Sequence, residues 1–87
     1  MTVAERIEQQ LAGLHPEALE LADESAQHAG HEGAKGGGGH FRLTIVSKAF
    51  CGKSSQARHR MIYDALAPMM KREIHALAIK AYAPEEI

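Results

Sequence analysis

Tryptophan is absent from this chain, cysteine occurs once, and tyrosine and phenylalanine twice each in 87 residues. A lone cysteine, Cys51, excludes an internal disulfide and accords with a reducing compartment, so a cytoplasmic location is expected. With so few aromatics, any core must be built from Leu, Ile, Val, Met and Ala. No apolar run approaches the length that spans a bilayer, and the opening MTVAERIEQQ lacks the pattern of a secretory leader; neither a membrane segment nor export is expected. Net charge is only −1, so bulk charge selects no partner.

What is present is 45% apolar residues, enough for one packed core, and residues 1–87 read as one small domain. The charges are segregated. Residues 1–34 hold seven acids and one base, Arg6, whereas residues 40–60 hold five bases (Arg42, Lys48, Lys53, Arg58, Arg60) and no acid. Such a segment is either a solvated face or a basic patch able to meet nucleic acid.

Periodicity sets out the elements. Thr2 and Glu5 form a T-x-x-E capping box, and Val3, Ile7, Leu11 and Leu14 follow at helical spacing, predicting a helix near 2–13 that Gly13 and Pro16 stop. ALELAD alternates as a strand near 18–23. Residues 24–40, ESAQHAGHEGAKGGGGH, have no period and read as a long mobile loop. FRLTIVS is the next strand, with Phe41, Leu43 and Ile45 on one face, and pairs most simply as an antiparallel hairpin. A main helix is expected at about 54–72, capped by Ser54 or Ser55, with Met61, Ile62, Ala65, Leu66 and Met69 as its apolar stripe and, at Pro68, a kink or the start of a new turn. IHALAIKAY is a last strand, with His75 on the face of Leu77 and Ile79. PEEI follows as a final turn that Pro84 starts. The order α-β-β-α-β-(α) predicts an α+β domain: a three-stranded sheet with helices packed on one face.

Several residues could carry chemistry. Gly52-Lys53-Ser54 matches the end of a phosphate-binding P-loop, but Ser47 stands where that motif needs its first glycine, which removes the reading. Six histidines are many for this length. His28, His31 and His40 lie in or beside the glycine-rich loop, His59 near the start of the main helix, and His75 at the start of the last strand. Imidazoles suit zinc, copper and iron. A closed zinc site would need four donors from His28, His31, His40, His75 and Cys51, and an open site completed by a partner is easier to build. His59 reads as a packed helix residue with local partners. Cys51 has no paired base and orienting acid, so an enzyme is not expected. A basic turn before a helix in a three-stranded α/β domain also resembles the KH module, although Ser55 replaces the second glycine of its G-x-x-G loop.

Taken together, these motifs resemble the BolA family. Phe50-x-Gly52-Lys53-Ser54 running into Arg58-His59-Arg60 matches its F-x-G-x-S-x-x-x-R-H-R signature. Asp23-Glu24-Ser25, His40-Phe41, Ile45-Val46-Ser47 and Ile74-His75-Ala76-Leu77 stand in the family's order, and the resemblance runs from about 16 to 84. It implies a KH-like (class II) αββαβ fold, in which Phe50, Gly52, Ser54 and His59 form a structural signature. It also implies a monothiol, CGFS-type glutaredoxin as partner, with a shared [2Fe-2S] cluster. The glutaredoxin cysteine and glutathione hold one side of the cluster, and His75 with His28, or with His31 as the alternative, hold the other. The isolated protein is then expected to carry no cofactor. The alternative function implied is DNA-binding transcriptional regulation, with Lys48, Lys53, Arg58 and Arg60 as the contacts. A homodimer is the remaining partner state considered.

Overall fold

The structure, a computed structural model, describes residues 2–25 and 39–87. Most of the glycine-rich loop expected at 24–40, with His28 and His31, lies outside the described residues. Helix α1, Val3–Leu11, starts where the capping box predicts: the Thr2 hydroxyl accepts from the Glu5 amide at 3.1 Å, and the Glu5 carboxylate accepts from the Thr2 amide at 2.9 Å. Those bonds favour the charged form and hold the Glu5 carboxyl below its ordinary value. A 3-10 turn, Ala12–Leu14, extends the helix, and His15 then turns left-handed (φ 50°) ahead of Pro16.

Strand β1, Ala18–Asp23, pairs antiparallel with β2, Gly39–Val46, from Ala18 opposite Val46 to Asp23 opposite Phe41. The connection end of this hairpin is tied by three bonds. Asp23 accepts from the Ser25 amide at 2.9 Å, the Ser25 hydroxyl accepts from the His40 amide at 3.1 Å, and the Glu24 amide donates to the His40 carbonyl at 2.7 Å. Strand β2 therefore begins at Gly39, two residues before the expected start at Phe41. Its alternation is as predicted: Phe41, Leu43 and Ile45 are buried, Arg42 is exposed and Thr44 half-buried.

The single long helix expected at 54–72 is two helices, α2 (Ser55–Ala65) and α3 (Ala67–Met70), broken at Leu66. Pro68 explains the break. It has no amide hydrogen, and its ring would strike the carbonyl of Asp64 four residues back, whereas a place in the first turn of a new helix suits it. The expected stripe still faces inward, with Ile62, Leu66 and Met69 buried and Met61 and Ala65 packed beside them. Crossing back through these helices places β3, Ile74–Tyr82, parallel to β2, and the sheet order is β1-β2-β3. Ile7 and Leu11 of α1, the inward residues of β2, Phe50, Ile62, Leu66, Met69 and Ile74 close one core between the helices and a single face of the sheet. A last 3-10 turn, Pro84–Glu86, has Pro84 at its first position.

Candidate functional site

The β2–β3 ladder contains an irregularity where the histidines lie. Gly39 pairs with Ile74 and His40 with Ala76, which leaves His75 as the extra residue of a bulge. The bulge resets the alternation. Ile74 is buried in the core, Leu77, Ile79 and Ala81 pack against it, and His75 between them is exposed. The structure thus corrects the expectation that His75 shares a face with Leu77 and Ile79. Its ring stands instead beside that of His40, with centroids 5.1 Å apart and planes tilted by 48°. His40 alternates with Phe41 and so belongs to the helix-free face of the sheet.

Two imidazole nitrogens bound to one tetrahedral ion at about 2.1 Å each lie roughly 3.4 Å apart. The donor set is nevertheless half a site: among the described residues no group of three or more His, Cys, Asp or Glu side chains could hold a metal ion. His28 and His31 lie outside the described residues. The pairing of His40 with His75 was not foreseen, because it depends on β2 and β3 lying parallel and adjacent, a contact between segments 35 residues apart. Its one sequence signal is the spacing of Ile74 and Leu77, which are both apolar yet three apart and so break a two-residue period.

The F-x-G-x-S signature resolves into a turn that anchors α2. Phe50 is fully buried. The Lys53 amide donates to the Phe50 carbonyl at 3.1 Å, Cys51 has φ −58° and ψ 131°, and Gly52 has φ 73°, the angles of a type II turn that requires glycine at its third position. Ser54 then caps α2, its hydroxyl accepting from the Ala57 amide at 3.1 Å. The resemblance to a P-loop therefore comes from a turn and a helix cap.

Arg58, expected among the DNA contacts, is turned inward. Its guanidinium donates to the Lys53 carbonyl (2.9 Å), the Ala81 carbonyl (3.0 Å) and both oxygens of Glu86 (2.6 and 2.7 Å). Four of its five N–H donors are thereby used within the fold. Glu86 also accepts from the Ala83 amide at 2.8 Å, and the hydrogen bonds from Arg58, then from Ala83, lower its carboxyl to about 2. Arg58 thus pins the C-terminal turn to α2 and β3. The other basic residues stay available: Lys48, Lys53 and Arg60 are exposed, and among the described residues none has a carboxylate partner. They do not form one patch. Lys48 lines a cleft with His15 and Glu17, whereas Lys53 and Arg60 line two neighbouring clefts that share His59.

His59 is half-buried between those clefts, and its ring makes no hydrogen bond among the described residues, in place of the expected local partners. Cys51 is exposed with Sγ 3.4 Å from Glu85 Oε2. Partial desolvation, then the hydrogen bond to Glu85 and its charge, push the thiol above its ordinary value, opposite to what an activated nucleophile needs.

Comparison with known proteins agrees with this architecture. The family described as BolA-like protein matches residues 11–86. A SufE-like protein 1 of Arabidopsis thaliana is 46% identical over 92 residues, covering all of this chain but 24% of that protein's length. The solved BolA domain of SufE1 from Arabidopsis thaliana superposes with a TM-score of 0.84 at 45% identity, covering 100% of this chain and 99% of that domain. The DNA-binding transcriptional regulator BolA of Escherichia coli is 40% identical over 87 residues, 99% of this chain and 80% of that protein. No helix among the described residues is long and apolar enough to cross a membrane. With its signature turn, its three-stranded mixed sheet and its helices on one face, the chain belongs to the BolA-like family.

Proposed function

We propose that this protein is an iron–sulfur adaptor that pairs with a monothiol, CGFS-type glutaredoxin and shares a bridging [2Fe-2S] cluster with it, rather than an enzyme. The observation that carries the reading is the exposed His75 on its bulge, 5.1 Å from the ring of His40, in a setting that lacks a third donor among the described residues. Half a site on an open surface suits a cargo held between two proteins. His75 is the strand-borne ligand. His28, or His31 in its place, is the second, and His40 stands beside His75 as a third imidazole. A ligand on a paired strand is held in position. The partner's cysteine and glutathione supply thiolates, and replacement of two thiolates by imidazoles raises a cluster's potential, as in Rieske centres.

The test is coexpression with a monothiol glutaredoxin, purification of the complex, and measurement of iron, sulfide and the visible spectrum. The reading expects two irons per heterodimer and a protein that emerges colourless when expressed alone. A chain that fails to copurify with the glutaredoxin would contradict it. A second reading, DNA-binding regulation, is favoured by the description of the Escherichia coli relative. Lys48, Lys53 and Arg60 remain its candidate contacts. In that case Lys53→Glu with Arg60→Glu weakens duplex binding and flattens its salt dependence.

A further inference from the structure

The sheet is open, so β1 and β3 each leave one edge without a neighbouring strand. Backbone bonds show which groups each edge presents. On β2 and just past its end, the Gly39 and Ser47 amides donate to the Glu73 and Tyr82 carbonyls, so the odd-numbered residues serve β3. The His40 and Val46 carbonyls accept from the Glu24 and Glu17 amides, so the even-numbered ones serve β1. The register sets Glu20 opposite Thr44 and Ala22 opposite Arg42, which commits the even-numbered residues of β1 to that ladder. Leu19, Leu21 and Asp23 therefore turn their N–H and C=O groups outward, where no backbone bond among the described residues takes them up.

Natural sheets guard such edges with lysine, proline, a bulge or a covering group. The β3 edge is guarded in this way: Arg58 caps the Ala81 carbonyl, Lys80 is exposed, and His75 sits on a bulge. The β1 edge has none of these devices. Ala18–Asp23 contains no lysine or proline, and its register against β2 runs unbroken. Its side chains alternate: Leu19 and Leu21 are half-buried against the core, whereas Ala18, Glu20 and Ala22 are exposed on the helix-free face. Residues 17–24 carry four acids and no base. Among the described residues only one of those acids, Glu24, has a basic partner, Arg42. Pairing two copies along this edge would bring like charges together, whereas a basic strand meets complementary charge.

We propose that the β1 edge is a docking surface for an extended basic segment of a partner protein, which joins the sheet as an added antiparallel strand. Partner residues opposite Leu19 and Leu21 exchange both backbone bonds with them and lay apolar side chains beside those leucines. The partner residue between them projects to the helix-free face, where a lysine or arginine meets Glu20. The inference is independent of the imidazole pair and of the basic residues around α2. It is tested by amide hydrogen exchange of the full chain, free and with synthetic peptides. In the free chain the Glu20 and Ala22 amides should exchange slowly and those of Leu19 and Leu21 fast. A heptapeptide of alternating valine and lysine should slow Leu19 and Leu21 saturably. The same peptide N-methylated on its valines keeps the charge and loses the bonds, and a valine–glutamate heptapeptide keeps the bonds and reverses the charge. Both should bind at least about tenfold more weakly. Glu17→Lys with Glu20→Lys, both at exposed positions, should keep the fold and weaken binding of the lysine peptide by at least about fivefold. His75→Ala should leave it unchanged, which separates this inference from the adaptor reading. Leu19 and Leu21 amides already protected in the free chain, equal binding of the N-methylated peptide, binding that survives the double glutamate substitution, or protection that appears only on self-association at rising protein concentration would overturn it.

Discussion

Gly39→Ala should destabilise the protein, although glycine-to-alanine changes in ordinary backbone usually help. Gly39 starts β2 opposite the bulge that carries His75, and its amide donates to the Glu73 carbonyl at 2.9 Å. Its φ is not in the left-handed region, so the objection to alanine is steric alone. An added Cβ would lie 2.5 Å from Cε2 and 3.0 Å from Cζ of Phe41, and 3.0 Å from the Ser25 hydroxyl that holds the His40 amide. Ordinary carbon contacts are about 3.5–4.0 Å, so the ring must retreat by roughly 1 Å. Phe41 is only 4% exposed and has little room to do so. Overpacking of this kind costs about 1–3 kcal/mol. The less flexible unfolded chain returns roughly 0.4–1 kcal/mol, leaving a net loss of about 1–2 kcal/mol. For a domain of this size that lowers Tm by roughly 5–15 °C in a thermal melt followed by circular dichroism. Gly13→Ala is the control: nothing lies within 4 Å of its added Cβ and its φ is unexceptional, so its Tm should hold or rise slightly. An unchanged or raised Tm for Gly39→Ala would refute the packing argument at the start of β2.

Three further outcomes follow from the structure. Gly52→Ala meets open space but must adopt φ 73°, so it should cost about 1–2 kcal/mol in chemical denaturation through backbone strain. Phe50→Ala empties the core beside the signature turn and should cost about 3–5 kcal/mol by the same measurement. Glu86 has a folded-state value of about 2 against an ordinary 4.5, so its contribution is complete above about pH 4.5 and is lost as pH falls toward 2. Glu86→Gln should therefore be less stable than wild type near neutrality and lose less stability across that acid range, measured by denaturant titration at each pH.

Features set by local chemistry were legible in the sequence. The Thr2–Glu5 box, the alternation of ALELAD and the stripe of α2 each depend on residues within one turn or one strand. The antiparallel hairpin followed from the order of its two strands. Pro68 was legible as a kink or the start of a new turn, and it ends α2 at Ala65 and opens α3. What escaped the reading depends on contacts between distant segments. Arg58 looked like one more surface base because its carboxylate partner, Glu86, lies 28 residues away. The same holds for the site. His75 was identifiable from its motif, but its neighbour His40 becomes one only through the parallel ladder and its bulge. A period of two carried through IHAL assigns His75 to the core face; the extra residue places it outside.

The central claim is that His75 carries iron shared with a monothiol glutaredoxin, and the most direct test is the visible spectrum of the coexpressed complex with and without His75→Ala. His75 is exposed and its substitution removes no core contact, so the variant should fold and still bind the partner. The account predicts loss of the wild-type charge-transfer bands, or a cluster that chelator strips much faster, with smaller effects for His28→Ala and for His40→Ala. A His75→Ala complex with the wild-type spectrum and wild-type resistance to chelator would contradict it.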